Sequence, residues 1–262
     1  MEIIIENCSS PGAHFSSNTN NVLLKIYQWI QKNSAPNLPF IEFRRRLENE
    51  AKINDNNARN IYPLLKNGGL VEYQPGGELE SKSFFTKRGL AYLKALETKE
   101  LIEQSDYSKQ QKDKATEQVD EILSSIVCDT VELLIENKEL NYSKSLQWFL
   151  LFLSKFGKIN KQEFALMVYV MTKNEETWEE EISPLITQYR NNDIEIEVKV
   201  RVRNDKKIQA NTGETTRLED ISFFTAYSFY SSLIDQAGLT RKVRDYHCVI
   251  DNHNRIDYLV EV

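Results

Sequence analysis

The chain has 262 residues, of which 40% are hydrophobic and 27% charged, so it is long enough for two or three small domains with hydrophobic cores. Its formal net charge of −6 weakens long-range attraction to nucleic acid, but it leaves room for a locally basic surface. No apolar run reaches the ~20 residues of a membrane-spanning helix, and the start lacks the basic residues of a secretory signal. Cys8, Cys128 and Cys248 are too widely spaced for a zinc or disulfide framework, which favours reduced thiols in a cytoplasmic protein.

The first part of the chain predicts three helices in succession. Apolar residues at helical spacing predict the first helix in "NNVLLKIYQWIQKN", and a proline begins the second helix in "PFIEFRRRLENEA". The third helix starts with Asn54 or Asp55 as its N-cap, and Gly68 and Gly69 are predicted to end it in a left-handed turn.

Two short strands and a closing helix are predicted next. "LVEYQ" and "SFFT" predict strands on either side of the turn-rich "PGGELESK", and Thr86 caps the helix that follows. A short turn separates the second and third helices. This order of elements is typical of a winged helix-turn-helix, and we assign residues 1–99 to such a DNA-binding unit with an N-terminal arm.

The middle and last parts of the chain predict a linker and a second unit. Residues 100–142 are acidic and helical, which favours a linker helix with a solvated charged face. Residues 143–262 predict three amphipathic helices, an alternating strand at 194–203, a loop and another helix. "TRKVRDYHCVI" and "RIDYLVEV" then predict a β-hairpin around "DNHN". The predicted fold is mainly α (α+β), with tandem winged helix-turn-helix units joined by a helical linker.

One face of the third helix has the composition of a base-reading surface. Ala58, Ile61 and Leu65 fall on one side and predict its buried face. Asparagine can pair with adenine and arginine with guanine through two hydrogen bonds in the major groove. The predicted base-reading residues lie in the first turns of the helix: Asn54, Asn56, Asn57, Arg59 and Asn60. The alternative is a capped, solvated helix start, which explains Asn54 but explains Asn60 poorly.

Basic residues near this helix, in the wing and around the second hairpin are candidates for phosphate contacts. They are Arg44, Arg45, Arg46, Lys82, Lys87, Arg88, Arg241, Lys242, Arg244 and Arg255. The alternative for each of them is a solvated basic face.

Two stretches of the chain resemble type IIS restriction and nicking endonucleases, especially the AlwI group and more distantly FokI. They are "SKSLQWFLLFLSKFGKINKQEFALMVYVMTKNEETWEEEISPLITQYRN" and "FFTAYSFYSSLIDQAGLTRKVRDYHCVI", and "ENCSSPGAHFSSN" is similar to the start of that family. The resemblance implies a DNA-recognition region. In this family a separate C-terminal Mg²⁺-dependent nuclease domain of PD-(D/E)xK type cuts at a fixed distance from an asymmetric site. No such domain is expected within these residues, so cleavage would come from a following domain or a second subunit.

Two segments of the chain are weak candidates for a catalytic or metal-binding site. Glu197 and Lys199 match the Glu-x-Lys of metal-dependent nucleases, but the whole strand alternates in charge. "YHCVIDNHNRID" contains His247 and His253, yet its central "DNHN" is ordinary turn chemistry. The chain has no phosphate-binding Gly-rich loop and no Gly-x-Ser-x-Gly motif. We therefore expect no catalytic residue, no metal ligand and no cofactor in this chain.

The sequence thus predicts sequence-specific recognition of double-stranded DNA. Two alternatives stay open, and they belong to different classes. One is a winged-helix module for protein interaction or transcription regulation, in which the acidic middle meets a basic partner. The other is a metal-dependent nuclease that uses Glu197 and Lys199. No membrane association is expected.

Overall fold

The computed structural model describes residues 1–33, 37–74, 76–79, 83–250 and 253–261. This part of the chain is mainly helical, with eleven α-helices and eight short strands, and the predicted α+β class is confirmed. The chain forms two compact units. The first unit comprises Pro11–Asn137 and Ser232–Leu239, and the second comprises Met1–Ser10, Lys138–Ser231 and Thr240–Val262.

The first unit is built from five helices and a very small sheet. In chain order its elements are α1 (Ser17–Lys32), β2 (Leu38–Pro39), α2 (Phe40–Glu50), α3 (Asp55–Asn67), β3 (Glu78–Leu79), α4 (Lys87–Gln104) and α5 (Lys109–Glu136). Strand β2 pairs antiparallel with β3, and an isolated bridge joins Val71 to Phe85. The two predicted strands, "LVEYQ" and "SFFT", are thus reduced to one bridge between them. The strand that pairs with β2 lies instead in "PGGELESK", which was predicted to be a turn.

Apolar stripes on these helices form one core. Phe43 of α2, Leu64 and Leu65 of α3 and Phe84 are completely buried. The C-terminal half of α5 also enters this core through residues such as Leu134, although its sequence predicted a linker with a solvated face. Its N-terminal half is mostly exposed and packs along α4. Helix α5 is therefore part of the first unit.

Three glycines fix how the end of α3 meets its neighbours. Gly69 has a positive φ of 70° and supplies the left-handed turn. Gly68 does not, and a Cβ there would lie 2.4 Å from Thr130 Cγ2 of α5. Gly89 in α4 lies against the Leu70 carbonyl oxygen, which a Cβ would approach to 2.0 Å. The prediction of a two-glycine stop is wrong for Gly68, which serves close packing instead.

The second unit contains a three-stranded mixed sheet that brings distant parts of the chain together. Strand β1 (Glu2–Glu6) pairs in parallel with β5 (Glu197–Arg203), and β5 pairs antiparallel with β6 (Thr216–Asp220). The alternating sequence of β5 explains its one buried face, which includes Val198 and Val200. The predicted loop after β5 instead contains a short helix, α9 (Lys206–Thr212), capped by Asp205.

Helices and a second small sheet complete this unit. The helices are α6 (Ser143–Phe156), α7 (Lys161–Met171), α8 (Trp178–Arg190) and α11 (His253–Glu261), together with the first part of α10 (Ala226–Gln236), whose residues from Ser232 on belong to the first unit. The strands β4 (Lys158–Ile159), β7 (Thr240–Val243) and β8 (Tyr246–Val249) form an antiparallel sheet in the order β4-β8-β7. The chain turns between β7 and β8 at Arg244 and Asp245.

The prediction that "RIDYLVEV" is a strand of this hairpin is wrong. Its described residues, 255–261, lie in helix α11, whose buried residues Ile256 and Leu259 are three positions apart, as one face of a helix requires. Their neighbour Tyr258 is exposed. In the described residues, no helix has the length and apolar character that crossing a bilayer requires.

Candidate nucleic-acid interface

Helices α2 and α3 are joined by a tight turn that contains an unusual backbone conformation. Lys52 has a positive φ of 56°, although left-handed conformations favour glycine. The next residue, Ile53, is buried, and its N–H donates to the Leu47 carbonyl oxygen at 3.3 Å. Helix α2 therefore stops abruptly, and α3 starts in a new direction after only a few residues.

Asp55, the first residue of α3, locks the two helices together. Arg44 Nε of α2 donates to Asp55 Oδ1 at 2.7 Å, and Arg44 Nη2 contacts Oδ2. Arg59 Nε, one turn further along α3, donates to the same Oδ2 at 2.8 Å. The Arg44 hydrogen bond is the largest cause that lowers the pKa of the Asp55 carboxyl below its usual range. Arg44 is only 20% exposed, so it acts first as a bridge between helices.

The side of α3 opposite its core is open to solvent. Ala58, Ile61 and Leu65 are buried, as their spacing predicted. Arg59 keeps 62% of its side chain exposed despite its bond to Asp55, and Asn60 is exposed. The outward face continues along the helix through Pro63 and Lys66. Arginine and amide groups thus lie side by side on one accessible helix face.

Several predicted contact residues cannot be placed on this face. Lys82 and the side chains of Asn56 and Asn57 lie outside the described part of the chain. Asn54 is exposed directly before α3, and its carbonyl oxygen accepts the Ala58 N–H at 3.0 Å. That hydrogen bond closes the first turn of the helix.

Arg45 and Arg46, predicted to hold phosphates, share a carboxylate in this structure. Arg45 Nε and Nη2 each donate to Glu42 at 2.8 Å, and Arg46 Nε donates to Glu42 Oε1 at 3.3 Å. The hydrogen bond from Arg45 is the main cause that lowers the pKa of the Glu42 carboxyl to about 2. Arg45 is 67% exposed, so a phosphate group can reach it without moving the helix.

A depression of about 750 Å³ lies beside the end of α3, along the predicted wing. Its lining includes Lys66, Tyr73 and Thr86. The Tyr73 ring stacks on Phe40 at 4.2 Å, and Lys66 Nζ lies 5.2 Å from the Tyr73 ring centroid. The lysine is therefore positioned over an aromatic ring next to the exposed face of α3.

Of the two basic residues at the start of α4, one is exposed and the other lies near an acidic residue of α5. Lys87 is exposed. Arg88 Nη2 lies 3.9 Å from Asp129 Oδ2 on α5, and its side chain is 34% exposed.

In the second unit, the β7–β8 hairpin presents a basic tip. Arg241, Lys242 and Arg244 are exposed, and Arg244 has a positive φ of 56° at the turn. Arg255 lies on α11 and is half-buried. Helix α10 is largely buried through residues such as Tyr230.

The Glu197–Lys199 pair forms an ion-pair cluster on the exposed face of the mixed sheet. Lys199 Nζ lies 3.1 Å from Glu197 Oε1 and 3.0 Å from Asp220 Oδ1. The hydrogen bond to Asp220 is the largest cause that raises the pKa of the Lys199 ammonium, so the lysine stays charged. Within the described residues, no group of three His, Cys, Asp or Glu side chains is arranged to hold a metal ion.

Some features of this surface were not predicted from the sequence. Lys52 carried no signal, because a left-handed lysine cannot be distinguished from an ordinary one by composition. Lys66 had a usable signal: it lies seven positions after Arg59, which puts it on the same helix face.

Comparisons of the chain with protein-family models, curated proteins and solved structures identified no match. The function is therefore inferred from the geometry of its own residues.

Proposed function

We propose that the first unit is a sequence-specific double-stranded DNA-binding module in which α3 enters the major groove. The observation that carries this proposal is the exposed face of α3, with Arg59 and Asn60 beside each other and a fully buried opposite side. Arg59 reads guanine and Asn60 reads adenine through paired hydrogen bonds. Lys66, at the far end of the same face, contacts a phosphate group.

The order of elements in the first unit supports a winged helix. Helix α1 is followed by β2, then by α2 and α3 across a short turn, and then by the Val71–Phe85 bridge and β3. Because β2 pairs with β3, the loop after α3 folds back next to the helix pair. That loop is the wing, and Lys87 and Lys66 flank it as phosphate contacts.

The order of elements in the second unit supports a related fold, in which the hairpin carries the basic residues. Helix α6, strand β4 and helix α7 precede the β7–β8 hairpin, and β4 pairs with β8 rather than with β7. In both units, a strand from early in the unit pairs with a strand from a later loop or hairpin. We therefore infer that the chain contains two winged-helix units in tandem. Its contribution to DNA binding is phosphate contact by Arg241, Lys242 and Arg244 at the hairpin tip.

Asp55 tunes the strength of this interaction. Its carboxylate holds Arg59 in one rotamer, which reduces the freedom that the arginine loses on binding a base. The same negative charge weakens nonspecific attraction to phosphates. We therefore expect modest affinity at physiological salt and a clear preference among sequences.

Selection from a pool of randomised duplexes tests the proposal. One sequence class should be enriched at low salt, and it should contain a guanine next to an adenine. Arg59→Ala and Asn60→Ala should each cost about 1–3 kcal/mol at a single base position and relax the preference there. Lys112→Ala is the matched control and should leave binding unchanged, because Lys112 lies in the first turn of α5 and its Nζ donates to the carbonyl oxygen of Glu103, near the C-terminal end of α4.

Two outcomes would contradict base reading by α3. One is the absence of any enriched sequence. The other is weak, sequence-independent binding that Arg59→Ala leaves unchanged, which would favour a module for protein interaction.

At the level of the system, we propose that this chain acts in the cytoplasm as the recognition region of a type IIS-like restriction endonuclease. Mg²⁺-dependent cleavage would then belong to an attached nuclease domain or a second subunit. Addition of Mg²⁺ to the chain bound to its selected duplex tests this. Cutting that is lost in Glu197→Ala would assign the chemistry to this chain instead.

A further inference from the structure

The second unit contains a cavity of about 460 Å³ between the start of α7, the end of α8 and the β7–β8 hairpin. Its volume lies in the range of small-molecule pockets. The residues of its wall that carry the argument are Lys161, Tyr189, Tyr227, Lys242, Tyr246 and His247. Aromatic rings and cationic groups therefore converge on one space.

The walls of this cavity are fixed by an internal network. Glu163 is completely buried in α7, and Arg190 Nε at the end of α8 donates to its Oε1 at 2.7 Å. Arg190 Nη2 also donates to the Lys158 carbonyl oxygen at 2.7 Å, which ties α8 to strand β4. Asn160 caps α7 and donates through Nδ2 to the Tyr189 hydroxyl at 3.2 Å. A ligand would thus meet a site that is already ordered.

The hairpin side of the cavity is equally well held. Ile159 of β4 pairs with His247 of β8, and Tyr227 Oη donates to the Ile159 carbonyl oxygen at 3.3 Å. The Tyr227 and His247 rings meet edge to face at 5.7 Å, and both side chains are nearly buried. Lys158 Nζ lies 4.5 Å from the Tyr246 ring centroid, so this ring is also held in place.

The cationic groups of the cavity favour an anion. Lys161 is half-buried, and burial lowers the pKa of its ammonium group. No neighbouring carboxylate is among the causes of that shift. Lys242 lies across the cavity on β7, and Asp245 is the one acidic residue among the lining residues that the structure describes. An anionic ligand group would therefore stabilise the charge of Lys161 as it enters.

We propose that this cavity binds a nucleoside monophosphate unit, with its phosphate on Lys161 and Lys242 and its base against the tyrosine rings. A base offers a flat π-face that stacks on Tyr246 or Tyr189, and such stacking tolerates any base. The unit comes either from a free nucleotide or from one nucleotide of a single strand. The site belongs to the second unit and does not depend on base reading by α3.

Isothermal titration calorimetry on the full chain tests this proposal with adenosine 5′-monophosphate, inorganic phosphate and adenosine. The monophosphate should bind at least about tenfold more tightly than inorganic phosphate or adenosine, because it makes both the charge-assisted contact and the stacking contact. Lys161→Gln should weaken its binding about tenfold, and Lys161→Arg should restore most of it. Lys173→Gln, an exposed lysine at the far end of α7, is the control and should change nothing.

A further titration with single-stranded hexadeoxyadenylate distinguishes a free nucleotide from one nucleotide of a strand. Tighter binding of the hexamer than of the monophosphate assigns a strand, and weaker binding assigns a free nucleotide. Equal binding of monophosphate and inorganic phosphate overturns the proposal. So does unchanged monophosphate binding by Lys161→Gln, provided that circular dichroism shows the variant to be folded.

Discussion

Replacing Glu163 by glutamine tests the network that orders the second unit. The glutamine amide keeps the size of the side chain and can still complete the cap of α7, because Glu and Gln both serve at that position. It removes the negative charge that faces Arg190. Glu163 is 0% exposed and Arg190 is 21% exposed, so a nearly buried cation loses its partner.

The expected loss follows from this burial. Removing one partner of a buried ion pair costs ~3–5 kcal/mol, and we expect about 3, because Arg190 keeps partial access to water. Arg190 also keeps its bonds to the Phe156 and Lys158 carbonyl oxygens at 3.1 and 2.7 Å. A loss of that size lowers the melting temperature of a chain of this length by roughly 6–12 °C.

Urea-induced unfolding, monitored by circular dichroism and tryptophan fluorescence, measures the change in free energy. Glu179→Gln is the matched control, since Glu179 pairs with Lys155 at 2.7 Å where both side chains are about half exposed. Exposed pairs contribute only about 0–1 kcal/mol. If Glu163→Gln cost no more than this control, the buried pair would not be what orders α7 and α8.

Two further predictions concern the first unit. Gly89→Ala should destabilise it by at least about 2 kcal/mol, because the new Cβ would lie 2.0 Å from the Leu70 carbonyl oxygen and the backbone would have to move. Thermal unfolding measures this loss, and an unchanged melting temperature would contradict the close approach. Asp55→Asn should flatten the loss of stability in acid. The pKa of Asp55 is lowered in the folded chain, so its contribution is present above its ordinary pKa of ~3.9 and is lost as the pH falls through the lower folded value. Urea midpoints between about pH 2.5 and 6 should therefore vary less in Asp55→Asn than in the parent chain.

Periodic segments were predictable from the sequence because one side of each meets a core. Ala58, Ile61 and Leu65 repeat at helical spacing and are buried together, and the alternation of β5 likewise follows from its single buried face. "RIDYLVEV" satisfied both an alternating and a helical pattern over eight residues. Packing of Ile256 and Leu259 against the rest of the unit decided in favour of the helix.

Interactions between distant residues could not be predicted from the sequence. Arg44 looked like a phosphate contact, and its pairing with Asp55 depends on the angle between two helices. The cavity in the second unit joins residues from 160 to 247, which belong to three helices and two strands. Composition names such residues as charged or aromatic, but only the fold determines which of them share a space.

The parallel pairing of β1 with β5 has a consequence for how this protein is made. Glu2 lies opposite Glu197, so some 195 residues separate the two strands in the sequence. At about 5–20 residues per second, β1 leaves the ribosome roughly 10–40 s before its partner does. During that interval Ile3 and Ile5 have no sheet to enter, whereas most of the first unit is already synthesised. The mixed sheet is thus completed late, and a ribosome that stalls before residue 197 leaves β1 exposed to whatever strand edge it meets first.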